Sequence, residues 1–222
     1  MNHPAERIDQ TSSPLERAHA PYFVQKQYVG DELVGRPRLD VFKQICSGKR
    51  VLHVGCVDWP ITDLRNSLHL QLDSICELDG FDIHDEAFEQ MRPHLRGRLY
   101  SRWEDVRERY DLVLVPEVLE HVPDVQGFLG QLDAVGAAQY VITVPDAYSC
   151  FQRHFDYCKG VQTFVEVVHP DHNCWYTPYT LANVLRKYTP WELQGMWFFN
   201  RMSLLAIATR AALAPSAELS PR

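Results

Sequence analysis

Lys49-Arg50-Val51-Leu52-His53-Val54-Gly55-Cys56-Val57-Asp58 is the stretch whose reading decides the fold. Two basic residues lead into apolar Val51, Leu52 and Val54, and the run breaks at Gly55. A short apolar run ended by glycine predicts a buried parallel strand entering a tight loop. In open α/β sheets the ligand sits outside the carboxyl ends of such strands. Alone, the stretch equally fits the first strand of any α/β domain.

Three companions follow at strand-like distances. Glu77-Leu78-Asp79-Gly80-Phe81-Asp82-Ile83 ends in an acid, with Asp82 where a ribose hydroxyl pair is bound. Tyr110-Asp111-Leu112-Val113-Leu114-Val115-Pro116-Glu117-Val118-Leu119-Glu120-His121-Val122 is the next, and Tyr140-Val141-Ile142-Thr143-Val144-Pro145 the last. Over residues 36–209 this order resembles the class I S-adenosylmethionine-dependent methyltransferases. Residues 111–122 are similar to their D-x-V-x-x-x-x-V-L-E-H-V signature, and Phe81-Asp82-Ile83 to their V-D-I. The most specific piece is Val118-Leu119-Glu120-His121-Val122.

The resemblance implies an α/β, Rossmann-like fold in a domain spanning 36–210. It implies a seven-stranded, mostly parallel sheet with helices on both faces and an antiparallel C-terminal hairpin. The implied cofactor is S-adenosylmethionine, held by Val54, Gly55, Cys56, Asp82, Trp103 and Val115. Gly55 and its neighbours would face the methionine end, Asp82 the ribose and Trp103 the adenine; ordinary loop packing is the competing reading of Trp103. Arg102 stands where the family usually has an acid against the adenine amino group, with Glu104 nearby. The family also carries G-x-G-x-G after its first strand. Here Gly55 is kept, but Val57 and Trp59 stand at the second and third positions, where glycine lets the backbone approach a cofactor.

The chain has 222 residues, enough for one α/β domain with a good core. Its 45% hydrophobic and 23% charged content is that of an ordinary globular protein. A net charge of -7 leaves no basic excess for a phosphate backbone, which argues against a nucleic-acid partner. Arg96, Arg98, Arg102, Arg107 and Arg109 are interleaved with Glu104, Asp105 and Glu108, as on a solvated mixed-charge face. None of the six cysteines forms C-x-x-C, so buried free thiols in a reducing compartment are expected. The polar start and the lack of an apolar run near ~20 residues predict no signal region and no membrane span, hence the cytoplasm. Oligomeric state is not legible.

Along the chain, 1–35 reads as an arm. Its part at 21–34, with Tyr22, Phe23, Tyr28 and Val29, is either a lid over the cofactor mouth or a segment packed outside the sheet. Periodicity predicts a helix over 38–46 and another through Leu64, Leu68, Leu72 and Ile75. Asp85 is expected to cap the next helix, ended by Pro93. A weak strand at 97–101 follows, then a helix from Pro123-Asp124 with Val125, Phe128, Leu129, Leu132 and Val135 inward. Thr177-Pro178 starts a helix that Pro190 ends. Strands at 191–199 and 202–209 are joined by Asn200-Arg201, and 211–222 is a small-residue, proline-containing tail expected to be disordered. Between Pro145 and Thr177 lie about 30 residues, long for a connection and partly helical over 147–158.

Methyl transfer to a hydroxyl needs alignment, exclusion of water and removal of a proton. His169-Pro170-Asp171-His172 in the long connection supplies the base candidates. His172 is preferred because it is nearer the capped helix, His169 is second, and a plain polar turn is an equal reading. Glu117 stands at the rim between cofactor and acceptor. Glu120-His121 is expected mainly to shape the strand-to-helix turn. Two histidines and an aspartate also suit a metal, but without a further ligand none is assigned. The expected function is methyl transfer to a small polar acceptor, a hydroxyl of a sugar, glycan or metabolite. Residues 169–181, with Trp175-Tyr176-Thr177-Pro178, are similar to a segment of glycan and natural-product methyltransferases. The alternative is an inactive methyltransferase-fold binding or partner protein, for which Val57 and Trp59 are the main support. An NAD enzyme is disfavoured by the lack of G-x-G-x-x-G.

Overall fold

The computed structural model describes residues 13–19, 23–61 and 63–210, so the expected tail at 211–222 and residues 1–12 and 20–22 of the arm lie outside the described residues. The elements are α1 (Pro14–His19), β1 (Gly30–Leu33), α2 (Arg38–Cys46), β2 (Arg50–Val54), α3 (Leu68–Asp73), β3 (Glu77–Phe81), α4 (Phe88–Met91), β4 (Leu99–Tyr100), β5 (Leu112–Pro116), α5 (Val125–Val135), β6 (Gln139–Pro145), α6 (Ala147–His154), β7 (Phe155–Cys158), β8 (Thr163–Glu166), α7 (Pro178–Tyr188), β9 (Trp191–Phe199) and β10 (Ser203–Arg210).

The central strands are apolar throughout because both sides of the sheet are covered. Leu52, Val54, Val113, Val115, Ile142 and Leu204 pack on one side with Leu129 and Leu132 of α5 and Leu181 and Leu185 of α7. Their neighbours Val51, Leu112, Leu114, Val141 and Leu205 pack on the other with Val41 and Phe42 of α2 and Leu72 of α3. The sheet runs β1-β9-β10-β6-β5-β2-β3-β4. It has eight strands among the described residues, one more than expected, because Gly30–Leu33 pairs in parallel with β9 at the edge. The segment placed in the arm thus joins the sheet. Val29 packs on the core and Gln27 Oε1 accepts from Arg186 of α7. No described residue of 23–34 lines the cleft considered below.

The terminal hairpin forms as expected, with β10 antiparallel between β6 and β9. Asn200 and Arg201 have φ of 48° and 61°, and the Met202 amide donates to the Phe199 carbonyl at 3.2 Å. Positive φ at both central residues is the geometry that suits the twist of a two-residue hairpin. Thr177 caps α7 in a reciprocal pair with Thr180, and Asp124 caps α5. Two local expectations are corrected. Asp85 lies inside a single turn rather than capping it; the His84 amide donates to Asp82 instead. The 147–158 helix stops at His154, and Phe155–Cys158 turns into a hairpin with Thr163–Glu166. Cys46, Cys56 and Cys76 are buried and free, and no helix among the described residues is long and apolar enough to cross a membrane.

His53 of β2 meets His69 of α3 inside the protein, Nδ1 to Nδ1 at 3.1 Å, and each ring is about 1% exposed. One ring must donate to the other, so the accepting ring cannot take a second proton at Nδ1 without losing the contact. Burial holds His69 down at about 4 and His53 well below the ordinary histidine value. Arg38 adds to the depression at His53, while Asp73 and Asp79 oppose it at His69. The unfolded chain therefore binds more protons below pH 6.5, and stability falls as pH drops from there towards 4. His69 alone accounts for roughly 3 kcal/mol of that loss. Urea midpoints followed against pH should fall more steeply in wild type than in His69→Asn across that window; parallel curves would sink the idea.

Candidate functional site

Strand order reverses between β2 and β5: β3 and β4 continue outward from β2, β6 and β10 outward from β5. Ligands bind at such a switch point, outside the carboxyl ends. A cavity of about 380 Å³ opens there, lined by Val54, Gly55, Phe81, Asp82, Trp103 and His121 among others. Its size lies in the usual range for small-molecule sites.

Gly55 makes the first turn possible. Its φ is +76°, and a Cβ there would lie 2.3 Å from Val118 Cγ2. Asp82 then ties the loop down. One carboxylate oxygen accepts from the Val57 amide at 2.8 Å, the other from the His84 amide at 3.0 Å. Burial raises the Asp82 pKa, against these two amide hydrogen bonds. Trp103 stacks on Phe81 with centroids 3.7 Å apart and meets Phe128 edge-on, so the wall opposite the loop is aromatic.

Of the six residues expected at the cofactor, Val54, Gly55, Asp82 and Trp103 line the cavity. Cys56 and Val115 do not. Cys56 is buried with Val57 against Ala87, Phe88 and Met91, and Val115 is fully buried in the main core. The Val57 side chain therefore points away from the cavity into a small core of its own. Trp59, whose peptide bond to Pro60 is cis, stacks on His84 at 5.5 Å. The missing glycines are replaced by packing rather than left as an obstruction. Val57→Gly should accordingly loosen S-adenosylhomocysteine binding and destabilise the fold by roughly 2–4 kcal/mol, as a buried large-to-small change. Calorimetry and a denaturant titration measure the two effects. Tighter binding in the variant would show that Val57 crowds the ligand.

Beyond β5 the chain makes a tight turn. Glu117 has φ of 53° and its carboxylate accepts from Thr143 Oγ1 at 2.6 Å. A single helical turn follows, Leu119–His121, with Leu119 and Glu120 buried. Asn173, far along the chain, is tied to it twice: its amide donates to the Glu120 carbonyl at 2.8 Å and its Nδ2 to the His121 carbonyl at 2.7 Å. This lashing sets the His172 ring perpendicular to that of His121, 4.6 Å between centroids. His169 lies farther out, more than half exposed at its side chain, with Asp171 Oδ2 3.7 Å from its Nδ1. The carboxylate expected to orient the preferred base thus pairs with the other histidine.

Glu120 is 1% exposed, and neither of its carboxylate oxygens has a hydrogen-bond partner. Burial, and then the charge of Glu117, push its pKa up to about 8. The Nδ1 of His172 is likewise buried and unpartnered. Burial first, then His121 and His169, hold His172 below the ordinary histidine range. The reading of Glu120-His121 as a turn former left out this convergence. The signal was two adjacent potential ligands, Glu120 and His121, facing the expected ligand cleft from the end of a strand.

No protein-family profile matches the sequence. Solved structures do. An S-adenosylmethionine-dependent methyltransferase from Aquifex aeolicus is 13% identical, with a TM-score of 0.55 over 78% of this chain and 88% of that one. Magnesium protoporphyrin IX methyltransferase from Synechocystis PCC 6803, with bound S-adenosylhomocysteine, is 14% identical, with a TM-score of 0.51 over 78% of this chain and 82% of that one. A chain of the Pnkp1/Rnl/Hen1 RNA repair complex is 14% identical, with a TM-score of 0.52 over 78% of this chain and 41% of that one. The fold is that of the class I S-adenosylmethionine-dependent methyltransferases, as the resemblance in sequence implies.

Proposed function

We propose that the chain is an S-adenosylmethionine-dependent methyltransferase acting on a hydroxyl of a small polar acceptor, a sugar, glycan or metabolite. The observation that carries this reading is the cavity at the switch point, lined by both Asp82 and His121, with His172 packed against His121. The cofactor supplies a methyl group activated on sulfur. The turn at Gly55 admits the ligand to close backbone contact. Asp82 uses both oxygens on amides, and its remaining lone pairs accept the ribose hydroxyls. Trp103, Phe81 and Phe128 offer the adenine an apolar wall.

The acceptor hydroxyl enters beside His121, and its proton leaves through the cluster of His121, His172 and Glu120. His172, kept neutral by burial, has the free nitrogen. Glu117 stands behind the cluster as a buried, hydrogen-bonded carboxylate. A net charge of -7 fits a small or neutral acceptor better than a nucleic acid, and a cytoplasmic setting suits the free thiols. The inactive-homologue reading loses its main support, because the Val57 side chain lies outside the cavity. Calorimetric titration of S-adenosylhomocysteine, followed by methyl transfer to a panel of sugars and hydroxylated metabolites, tests the proposal. Binding of no nucleoside ligand would return the chain to the class of inactive homologues.

A further inference from the structure

We infer that Glu120, His121 and His172 form a binding site for a divalent first-row transition-metal cation at the acceptor end of the cavity. Three observations converge. The donor atoms of these residues all lie within 4.8 Å of one another. Glu120, almost wholly buried, has two unpartnered oxygens, of which Oε1 lies 3.9 Å from His121 Nε2. His172 adds a buried, unpartnered ring nitrogen. Buried carboxylates without partners cost free energy unless something pairs with them. A cation is a partner that all three groups share.

The ligand set fixes the class of metal. Two imidazoles and one carboxylate suit Zn²⁺, Mn²⁺, Fe²⁺ or Co²⁺ rather than Mg²⁺ or Ca²⁺, which prefer oxygen. Donors around a metal at ~2.1 Å lie about 3–3.5 Å apart, so the cluster must draw in by up to about 1.5 Å on loading. The Asn173 hydrogen bonds keep the His172 segment beside the Glu120–His121 backbone, which leaves the contraction to the side chains. Three protein ligands leave coordination positions open, as in metal sites that act on a substrate. The open side is the side of the cavity, since His121 lines it.

The site rests on the methyltransferase reading for its chemistry but not for its geometry. With the cation bound, His172 and Glu120 serve as its ligands instead of as proton acceptors, and the proton of an acceptor hydroxyl on the cation is lost more readily, to water. The oxygen lone pair then forms the bond to the methyl carbon, and the carbon–sulfur electron pair returns to sulfur.

The experiment is a titration of the full chain with Co²⁺, read by its visible absorption, alongside calorimetry with S-adenosylhomocysteine. Wild type should take up one equivalent, displaced by Zn²⁺. Glu120→Gln and His172→Ala should each weaken uptake at least about 100-fold, while His169→Ala, outside the donor set, should not. Unfolding midpoints show which variants remain folded, and partly exposed His172 provides the safer variant should Glu120→Gln fail to fold. Uptake equal in wild type and His172→Ala, or none by wild type, would overturn the site. S-Adenosylhomocysteine binding without Co²⁺ uptake removes the metal alone. Co²⁺ uptake without S-adenosylhomocysteine binding keeps the metal and removes the methyltransferase reading.

Discussion

Asp82→Ala should weaken S-adenosylhomocysteine binding by about 3 kcal/mol or more, on the order of 150-fold. The sequence motif alone justifies a smaller figure, that of one charged hydrogen bond to a ribose, roughly 1.5–3 kcal/mol. The geometry raises it. The carboxylate accepts the amides of Val57 and His84, which belong to the two loops forming the floor of the cavity. Removing it takes away ligand contacts and also frees both loops, whose order must then be restored on binding. Asp82→Asn separates the two effects, because an amide keeps one accepting oxygen and loses the other. Its affinity should fall between wild type and Asp82→Ala. Calorimetry on the three proteins makes the comparison, and equal affinities would place the ribose elsewhere.

Much of this framework was legible from residues 49–58 outward, because buried parallel strands are apolar on both faces and hydrophobic runs mark them without ambiguity. The helices with local start signals, at Thr177-Pro178 and Pro123-Asp124, were legible too, since capping depends on neighbours within one turn. The eighth strand was not. Gly30–Leu33 is short, carries Asp31 and Glu32, and is held at an edge by pairing to β9, far away in sequence. The direction of Val57 was hidden for a similar reason, as only the packing of α4 shows that its side chain has a core to enter. The partnership of Glu120-His121 with His172 depends on Asn173, whose two hydrogen bonds span about fifty residues. Local patterns report elements; sites assembled by long-range contacts leave only their residue types behind.

His172→Ala should lower turnover by roughly 10²–10⁴-fold and leave S-adenosylhomocysteine affinity nearly unchanged. The ring sits beyond His121, outside the residues that line the cavity, so the cofactor should not sense its loss. Its Nδ1 is the unpartnered nitrogen of the cluster, so a proton-accepting or metal-binding role ends with it. His169→Ala should do less, because that ring is largely exposed and faces Asp171. Single-turnover rates, with a cofactor titration on each variant, make the measurement. Asn173, not His172, makes the hydrogen bonds that hold the segment to the Glu120–His121 turn, so the alanine variant should stay folded with its loop in place. Loss of turnover with an intact unfolding midpoint then assigns the effect to chemistry. Full turnover in both variants would reduce 169–172 to a polar turn and leave Glu117, hydrogen-bonded to Thr143, as the remaining base.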